Sequence, residues 1–337
     1  MDSDAKTAAQ AELLFNRLSK RHRHLKKWAR RIGVDAYRLY DRDIPEIPLV
    51  IDLYGDAVSG ALYKRPYEKD EAEEERWLAA MADSAAEALG LKKELIFLKQ
   101  RERQRGNSQY EKIGKGNIWR EVHEGDLRFR VNLSDYLDTG LFLDARKRRS
   151  LLRAEAAGKR VLNLFAYTCS LSVCAAASGA SEVDSVDLSN TYLDWGKANF
   201  ALNGLDTDTA SAFRFIREDV LSFLSKAKAK HLAWDIIILD PPSFSNSKKM
   251  QTDLDIRRDY HTLIKNCLAL LSPGTPGEAS RKGKLWFSSN ARGFHLADEE
   301  FPGFQIKNMQ KEMEDEDLKG KKLPACYTFI QSRRNDA

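Results

Sequence analysis

The feature that most constrains this chain is an alternation of two hydrophobic periods that begins near residue 147 and continues to about residue 288. Segments with helical spacing at 147–157, 170–178, 190–203, 219–228 and 256–271 alternate with apolar strand-like runs at 161–165, 182–186, 213–217, 234–239 and 284–288. Val161-Leu162-Asn163-Leu164-Phe165 and Ile236-Ile237-Ile238-Leu239 are nearly continuous apolar runs. That pattern belongs to strands covered on both faces, so it predicts an α/β unit built on a mostly parallel sheet. Ligands in such sheets sit at the C-terminal strand ends. The residues that close each strand are therefore the first place to look for chemistry.

The preceding residues read differently. Residues 8–32 have the spacing of a basic amphipathic helix, with Leu13, Leu14, Phe15, Leu18, Leu25, Trp28, Ala29 and Ile32 as its apolar positions. Residues 48–63 read as two strands around a Gly55-Asp56 turn, 68–89 as a charged helix, and Leu95 to Leu98 as a short strand. A polar Gly-rich loop is predicted at 104–117, followed by strands at 118–123 and 127–133. A chain of 337 residues exceeds one ordinary core. The expected organisation is a basic helix and linker (1–44), a small α+β domain (45–133) and the α/β unit (134–337).

The net charge of +5 decides little, but its distribution is informative. Residues 17–31 hold eight Lys/Arg, two His and no acid. Lys99, Arg101, Arg103 and Arg105 form a second run, and Arg146-Lys147-Arg148-Arg149 a third. Each run alone reads equally well as a solubilising helix surface. Three in one chain favour a phosphate backbone as partner. Lys20, Arg21, Lys26, Lys27, Arg30 and Arg31 are the candidate contacts.

Cys169, Cys174, Cys267 and Cys326 form no C-x-x-C pair and no His cluster accompanies them. Zinc or iron–sulfur binding is not expected, and buried thiols in a reducing compartment are. No run of about 18 apolar residues is present, so no membrane span is expected. Met1-Asp2-Ser3-Asp4 lacks the pattern of a secretory signal, and the expected location is the cytoplasm.

The G-x-G-x-x-G fingerprint of dinucleotide folds is absent after the first α/β strand, which disfavours a dehydrogenase. The turn there reads N-L-F-A-Y-T-C-S and resembles that of class I methyltransferases, where the backbone approaches S-adenosylmethionine (SAM). Asp187 ends the second strand, where an acid can accept hydrogen bonds from ribose hydroxyls. Asp187 or Ser189 can equally cap the next helix. Asp219 ends the third strand, where the resemblance implies an adenine contact and the simpler reading is again a cap. Asp240-Pro241-Pro242-Ser243-Phe244 follows the fourth strand. That turn fixes a carboxylate at the sheet rim and offers Phe244 for stacking on a flipped base.

Further segments narrow the resemblance. They are the stretch from Asp135 to Arg146, N-L-F-A-Y-T, D-P-P-S-F-S-N-S-K, F-S-S-N and Tyr37-Arg38-Leu39-Tyr40-Asp41. Together they resemble the bacterial 23S rRNA guanine-N7 methyltransferases over residues 14–330. The resemblance implies a Rossmann-like seven-stranded, mostly parallel sheet that binds SAM. Its cofactor residues would be Asp144, Arg146, Asn163, Phe165, Tyr167, Asp187, Leu188, Ser189, Asp219 and Asp240. Asp240, Pro241, Pro242 and Phe244 would carry catalysis. The implied partner is 23S rRNA or an assembling large ribosomal subunit, with no metal and no membrane. In many bacteria this activity is the C-terminal half of a bifunctional enzyme, and the guanine-N2 half is not in this sequence.

One residue departs from that pattern: Cys169 stands where the family usually has Gly, and its tolerance is expected to require a negative φ. Related cytosine-C5 enzymes need a Cys nucleophile. Neither Trp286-Phe287-Ser288-Ser289-Asn290 nor the D-P-P-S-F turn supplies one, and Cys326 reads as core. Guanine N7 carries an in-plane lone pair and needs no covalent catalysis. Guanine N2 is the second reading. A non-catalytic RNA-binding assembly factor, favoured by Cys169, is the third, and an NAD-linked oxidoreductase is remote.

Overall fold

The computed structural model describes residues 3–63, 70–101, 114, 116–208, 212–245, 253–273 and 282–332. Most of the predicted 104–117 loop, Arg103 and Arg105 of the second basic run, and the end of the D-P-P-S-F-S-N-S-K segment lie outside these residues. The chain divides into two compact units, Met1–Leu143 with Glu316–Lys321, and Asp144–Asp315 with Lys322–Ala337.

The first unit opens with α1 (Ser3–Ile32), whose Leu14, Leu18, Leu25 and Trp28 are buried. They share one core with Trp77, Met81 and Ala85 of α2 (Glu71–Leu89). The basic helix is thus part of this core and no detached arm. Asp70 caps α2 by accepting from the Glu73 N–H at 3.1 Å, and Gly90 at φ 66 ends it. Under the helices lies a four-stranded sheet of β1 (Ala36–Asp41), β2 (Leu49–Tyr54), β3 (Ala57–Tyr63) and β4 (Ile96–Arg101) in that order. β1 to β3 pair antiparallel, and β4 joins β3 in parallel because α2 supplies the crossover. β5 (Trp119–Glu124) and β6 (Leu127–Asn132) form a separate hairpin. The six residues Glu316–Lys321 complete this unit: fully buried Asp317 accepts from the Arg38 N–H at 3.0 Å.

The second unit runs α3 (Arg146–Glu155), β7 (Arg160–Leu164), α4 (Ser170–Ala177), β8 (Glu182–Asp187), α5 (Asn190–Leu202), β9 (Phe213–Arg217), α6 (Val220–Ala229) and β10 (Ile236–Leu239). A short ribbon of β11 (Phe244–Ser245) and β12 (Leu254–Asp255) leads into α7 (Ile256–Leu268), then β13 (Lys284–Ser289), β14 (Phe304–Asn308) and β15 (Ala325–Gln331). The seven strands are ordered β14-β15-β13-β10-β7-β8-β9. β7, β8, β9, β10 and β13 are parallel, and β15 runs antiparallel to both its neighbours. This is the mostly parallel Rossmann-like sheet that the alternation predicts. The central strands β7 and β10 are apolar at all their buried positions but Asn163, with Leu162, Leu164, Ile237 and Leu239 at 0% exposure. The chain crosses back past β7 after β9, and the parallel pairing puts the C-terminal ends of β7, β8, β9 and β10 on one rim.

Candidate active site

The turn after β7 is built against ordinary backbone preference. Phe165, Tyr167 and Cys169 hold φ of 56°, 50° and 60°, so alternate non-glycine residues sit in the left-handed region. Each such residue costs on the order of 1 kcal/mol, so something outside the turn must hold it. Asp187 does so from the end of β8. Its carboxylate accepts from the Tyr167 N–H and the Ser189 N–H, both at 2.9 Å. The Ala166 N–H donates to the Val186 carbonyl at 3.0 Å.

The expectation of a negative φ at Cys169 is therefore wrong. Cys169 is left-handed and wholly buried. Its thiol fits because Gly196 of α5 faces it: a Cβ on Gly196 would stand 2.4 Å from the Cys169 sulfur. Asn199, also on α5, donates to the Thr168 carbonyl at 2.9 Å. Tyr167 packs edge-on against Tyr192 with ring centroids 4.5 Å apart.

Desolvation is the largest influence on Asp187 and pushes its carboxyl up to about 6, against the opposing pull of the backbone N–H donors. An acid held by two turn amides at a recessed strand end retains lone pairs for a diol. Leu188 and Ser189 follow it, half-buried, and Ser189 caps α5 by accepting from the Tyr192 N–H at 3.4 Å. Asp219 caps α6 through the Ser222 N–H at 3.0 Å, so the capping alternative holds for both residues. Asn163 lies inside the sheet at 1% exposure and donates to Ser172 at 2.9 Å, which puts it under the turn rather than on its surface.

Asp240 leaves β10 and enters a closed polar cluster. The Arg148 Nη2 donates to Asp240 Oδ2 at 2.6 Å, and the Ser288 hydroxyl donates to Oδ1 at 2.5 Å. Arg148 also donates to the Ser288 hydroxyl, which closes the triangle. Pro241 is buried and Pro242 half-buried, while Phe244 is 44% exposed on the rim. Among the described residues all four cysteines are buried. Burial pushes the Cys326 thiol up to about 11, which removes it as a nucleophile.

Two basic expectations are corrected. Arg146 is buried and ion-paired to Asp315 at 3.2 Å, a poor position for contacting a cofactor. With Arg148 and Arg149 also buried, the third basic run presents no cationic face. Lys99 of the second run is half-buried and donates to the Tyr136 carbonyl at 2.5 Å; burial pushes its ammonium down to about 8. Among the described residues, the first run faces solvent. Lys20, Lys26, Lys27, Arg30 and Arg31 are exposed, joined by Arg23, while Arg21 donates to the carbonyl of Asp317 at 3.0 Å and is not available. Sequence reasoning overlooked Arg23, Arg148, Ser288 and Gly196. Ser288 carried a signal, as a polar residue ending an apolar strand. Asp144 lies half-buried on the short 3-10 turn Leu143–Ala145 before α3.

A class I methyltransferase fold with acids at the β8, β9 and β10 ends is thus in place, and the comparisons agree. A family model described as S-adenosylmethionine-dependent methyltransferase matches residues 41–280, and the chain belongs to that family. It is similar to the ribosomal RNA large subunit methyltransferase K of Neisseria meningitidis serogroup B, at 45% identity over 93% of this chain and 85% of that one. It is also similar to the ribosomal RNA large subunit methyltransferase K/L of Hahella chejuensis, at 43% identity over 96% of this chain and 43% of that one. The chain therefore spans less than half of such K/L relatives. A solved structure of SMU.776, a putative methyltransferase complexed with SAH, superposes with a TM-score of 0.73 at 25% identity, covering 95% of this chain and 81% of that one.

SAM is the cofactor. The turn at 165–169 and the acceptor carboxylate of half-buried Asp187 at a strand end are compatible with a polar ligand there. Among the described residues no His/Cys/Asp/Glu group can hold a metal ion. No helix among them is long and apolar enough to cross a membrane.

Proposed function

We propose that the chain methylates N7 of a guanine in 23S rRNA, with the base flipped against the Asp240–Phe244 turn. The observation that carries this reading is an exposed aromatic, Phe244, four residues from a carboxylate already engaged by Arg148, on a rim without a reachable thiol. The printed names of the N. meningitidis and H. chejuensis relatives support a large-subunit ribosomal RNA as substrate.

The bound cofactor supplies an activated methyl on a sulfonium. Transfer of that methyl to the N7 lone pair would require no proton to leave the base. The residues have only to position and to exclude water. Phe244 stacks on the ring and Asp240 orients its edge. Asp187 holds the cofactor turn and receives the ribose hydroxyls, and Asp219 stands at the adenine end. Asp144, Phe165, Tyr167, Leu188 and Ser189 line the remaining approach. An exocyclic amine such as N2 would need a proton acceptor, and both oxygens of Asp240 are already engaged by Arg148 and Ser288. The α1 cations Lys20, Lys26, Lys27, Arg30 and Arg31 dock the RNA backbone.

Mass mapping of rRNA nucleosides from cells lacking the protein tests the reading. Loss of one 7-methylguanosine is expected. Loss of an N2-methylguanosine in its place would move the target atom. A full set of modifications, together with no SAM binding by calorimetry, would leave a non-catalytic RNA-binding role.

A further inference from the structure

Arg148 and Ser288 surround Asp240 more completely than packing requires. Arg148 lies on α3, Asp240 at the end of β10 and Ser288 on β13, so three separate elements converge on one carboxylate. The Arg148 side chain is 10% exposed and that of Asp240 is 28% exposed. The cation is thus sealed behind the acid, and the acid keeps an open side. Oδ2 takes a hydrogen from Arg148 at 2.6 Å and Oδ1 takes one from Ser288 at 2.5 Å. Each oxygen retains a further lone pair. The Arg148 Nε is buried without a partner among the described residues, so the guanidinium is held here by its Asp240 and Ser288 contacts. Cys326 on β15 pairs across from Ser288 and closes the apolar back of the cluster.

We infer that Arg148 and Ser288 are positioning residues that fix Asp240 as a charge-balanced, acceptor-only group, and that this selects guanine. Guanine's Watson–Crick edge offers two adjacent donors, N1–H and N2–H₂. They match two carboxylate oxygens that each keep a lone pair on a side chain 28% exposed. Adenine offers an acceptor at N1, which a carboxylate repels. A free Asp240 could rotate out of register with that edge. Two donors fixed from behind hold it in place. This inference rests on the guanine reading of the Asp240–Phe244 turn and assigns its specificity to residues outside it.

The test uses the full chain with in vitro transcribed, unmodified 23S rRNA and radiolabelled SAM. Single-turnover methylation is measured for Ser288→Ala, Arg148→Met, Arg148→Lys, Asp240→Asn and the Arg148→Met/Asp240→Asn double variant. SAM affinity is followed by calorimetry. Ser288→Ala removes one hydroxyl and keeps the fold accessible even where loss of the buried cation does not. Its rate is expected to fall about tenfold with SAM affinity within twofold of the parent. Arg148→Met is expected to lose about a hundredfold, and Arg148→Lys to recover part of that. The double variant is expected to be no slower than Asp240→Asn alone, because Arg148 acts through Asp240. Parental rates in both Ser288→Ala and Arg148→Met would overturn the inference. So would a double variant slowed by the product of the two single effects. A parental rate in Asp240→Asn would instead sink the pocket reading on which the inference stands.

Discussion

Two basic runs in this chain look alike as sequence and differ in what they do. Arg146-Lys147-Arg148-Arg149 opens α3 and turns inward. Arg146 meets Asp315, Arg148 meets Asp240, and Arg149 is wholly buried. The run in α1 turns outward. Lys20, Arg23, Lys26, Lys27, Arg30 and Arg31 cover one solvent face, opposite the buried Leu14, Leu18, Leu25 and Trp28. Over eleven helical steps that face is about 16 Å long. The difference lies in acids distant in the chain. Asp315 is 169 residues from Arg146, and nothing near either run announces such a partner. A buried cation with a partner serves the shape of the protein, whereas an exposed face of cations without acids is available to a polyanion.

The sharpest way to break this contrast is to remove a cation from each run. Arg146→Ala leaves buried Asp315 beside a gap, with the Lys147 ammonium 3.8 Å away. A loss of about 3–5 kcal/mol is expected in urea unfolding followed by tryptophan fluorescence. A shift under about 0.5 kcal/mol would place Arg146 among the solvated surface charges. The matching change in α1, Lys20, Arg23, Lys27 and Arg30 all to Gln, should leave unfolding unmoved within that margin. Its effect belongs to RNA: about a hundredfold weaker binding at low salt, and a slope of log K against log salt reduced by about three. An unchanged slope would remove α1 from the docking surface.

A smaller effect separates cofactor from RNA by pH. Asp187 is raised from 3.8 to about 6 in the fold. Its ionised form accepts hydrogen bonds from a diol, and its protonated form accepts them less well. SAM affinity is expected to fall about tenfold from pH 7 to pH 5, read by calorimetry. Stability follows the opposite sign. A carboxyl with a raised native value penalises the fold as pH climbs from about 4 to 6, and the penalty is complete above that window. The unliganded protein thus gains from Asp187 protonation while SAM affinity declines. Affinity flat between pH 5 and 7 would remove Asp187 from the diol.

The smallest effects concern the Cys169–Gly196 contact. Gly196→Ala is expected to destabilise by about 1–2 kcal/mol, because the new methyl meets the Cys169 sulfur. In a Cys169→Gly background the same change should become neutral or mildly stabilising, as alanine usually is in a helix. Equal effects in both backgrounds would show that the two residues do not touch in solution.

Much of the second unit was legible because its period is strong: the strands that carry the site were readable to within two residues. β14 was not, because a short antiparallel edge strand such as Phe304–Asn308 alternates weakly and sits among turns. β1 was hidden for a similar reason, since Tyr37-Arg38-Leu39-Tyr40 fits several patterns. At the site, the acids at strand ends were visible because position in a parallel sheet gives them meaning. Asn163 and Arg146 were misplaced because side-chain direction and a remote ion partner are three-dimensional facts. Arg148 was hidden inside a run that reads as surface.

The left-handed residues at 165, 167 and 169 have one more consequence, for the order in which this molecule can assemble. The turn does not favour its own shape, since three side-chain-bearing residues resist it. It is held by amide contacts to Val186 and Asp187 on the neighbouring strand. The cradle for the cofactor therefore cannot exist before β8 has docked beside β7. It is a property of two paired strands, not of a self-standing loop. A chain organised in this way can place a cysteine in the turn and keep its form, because the instruction for that form is written on the next strand.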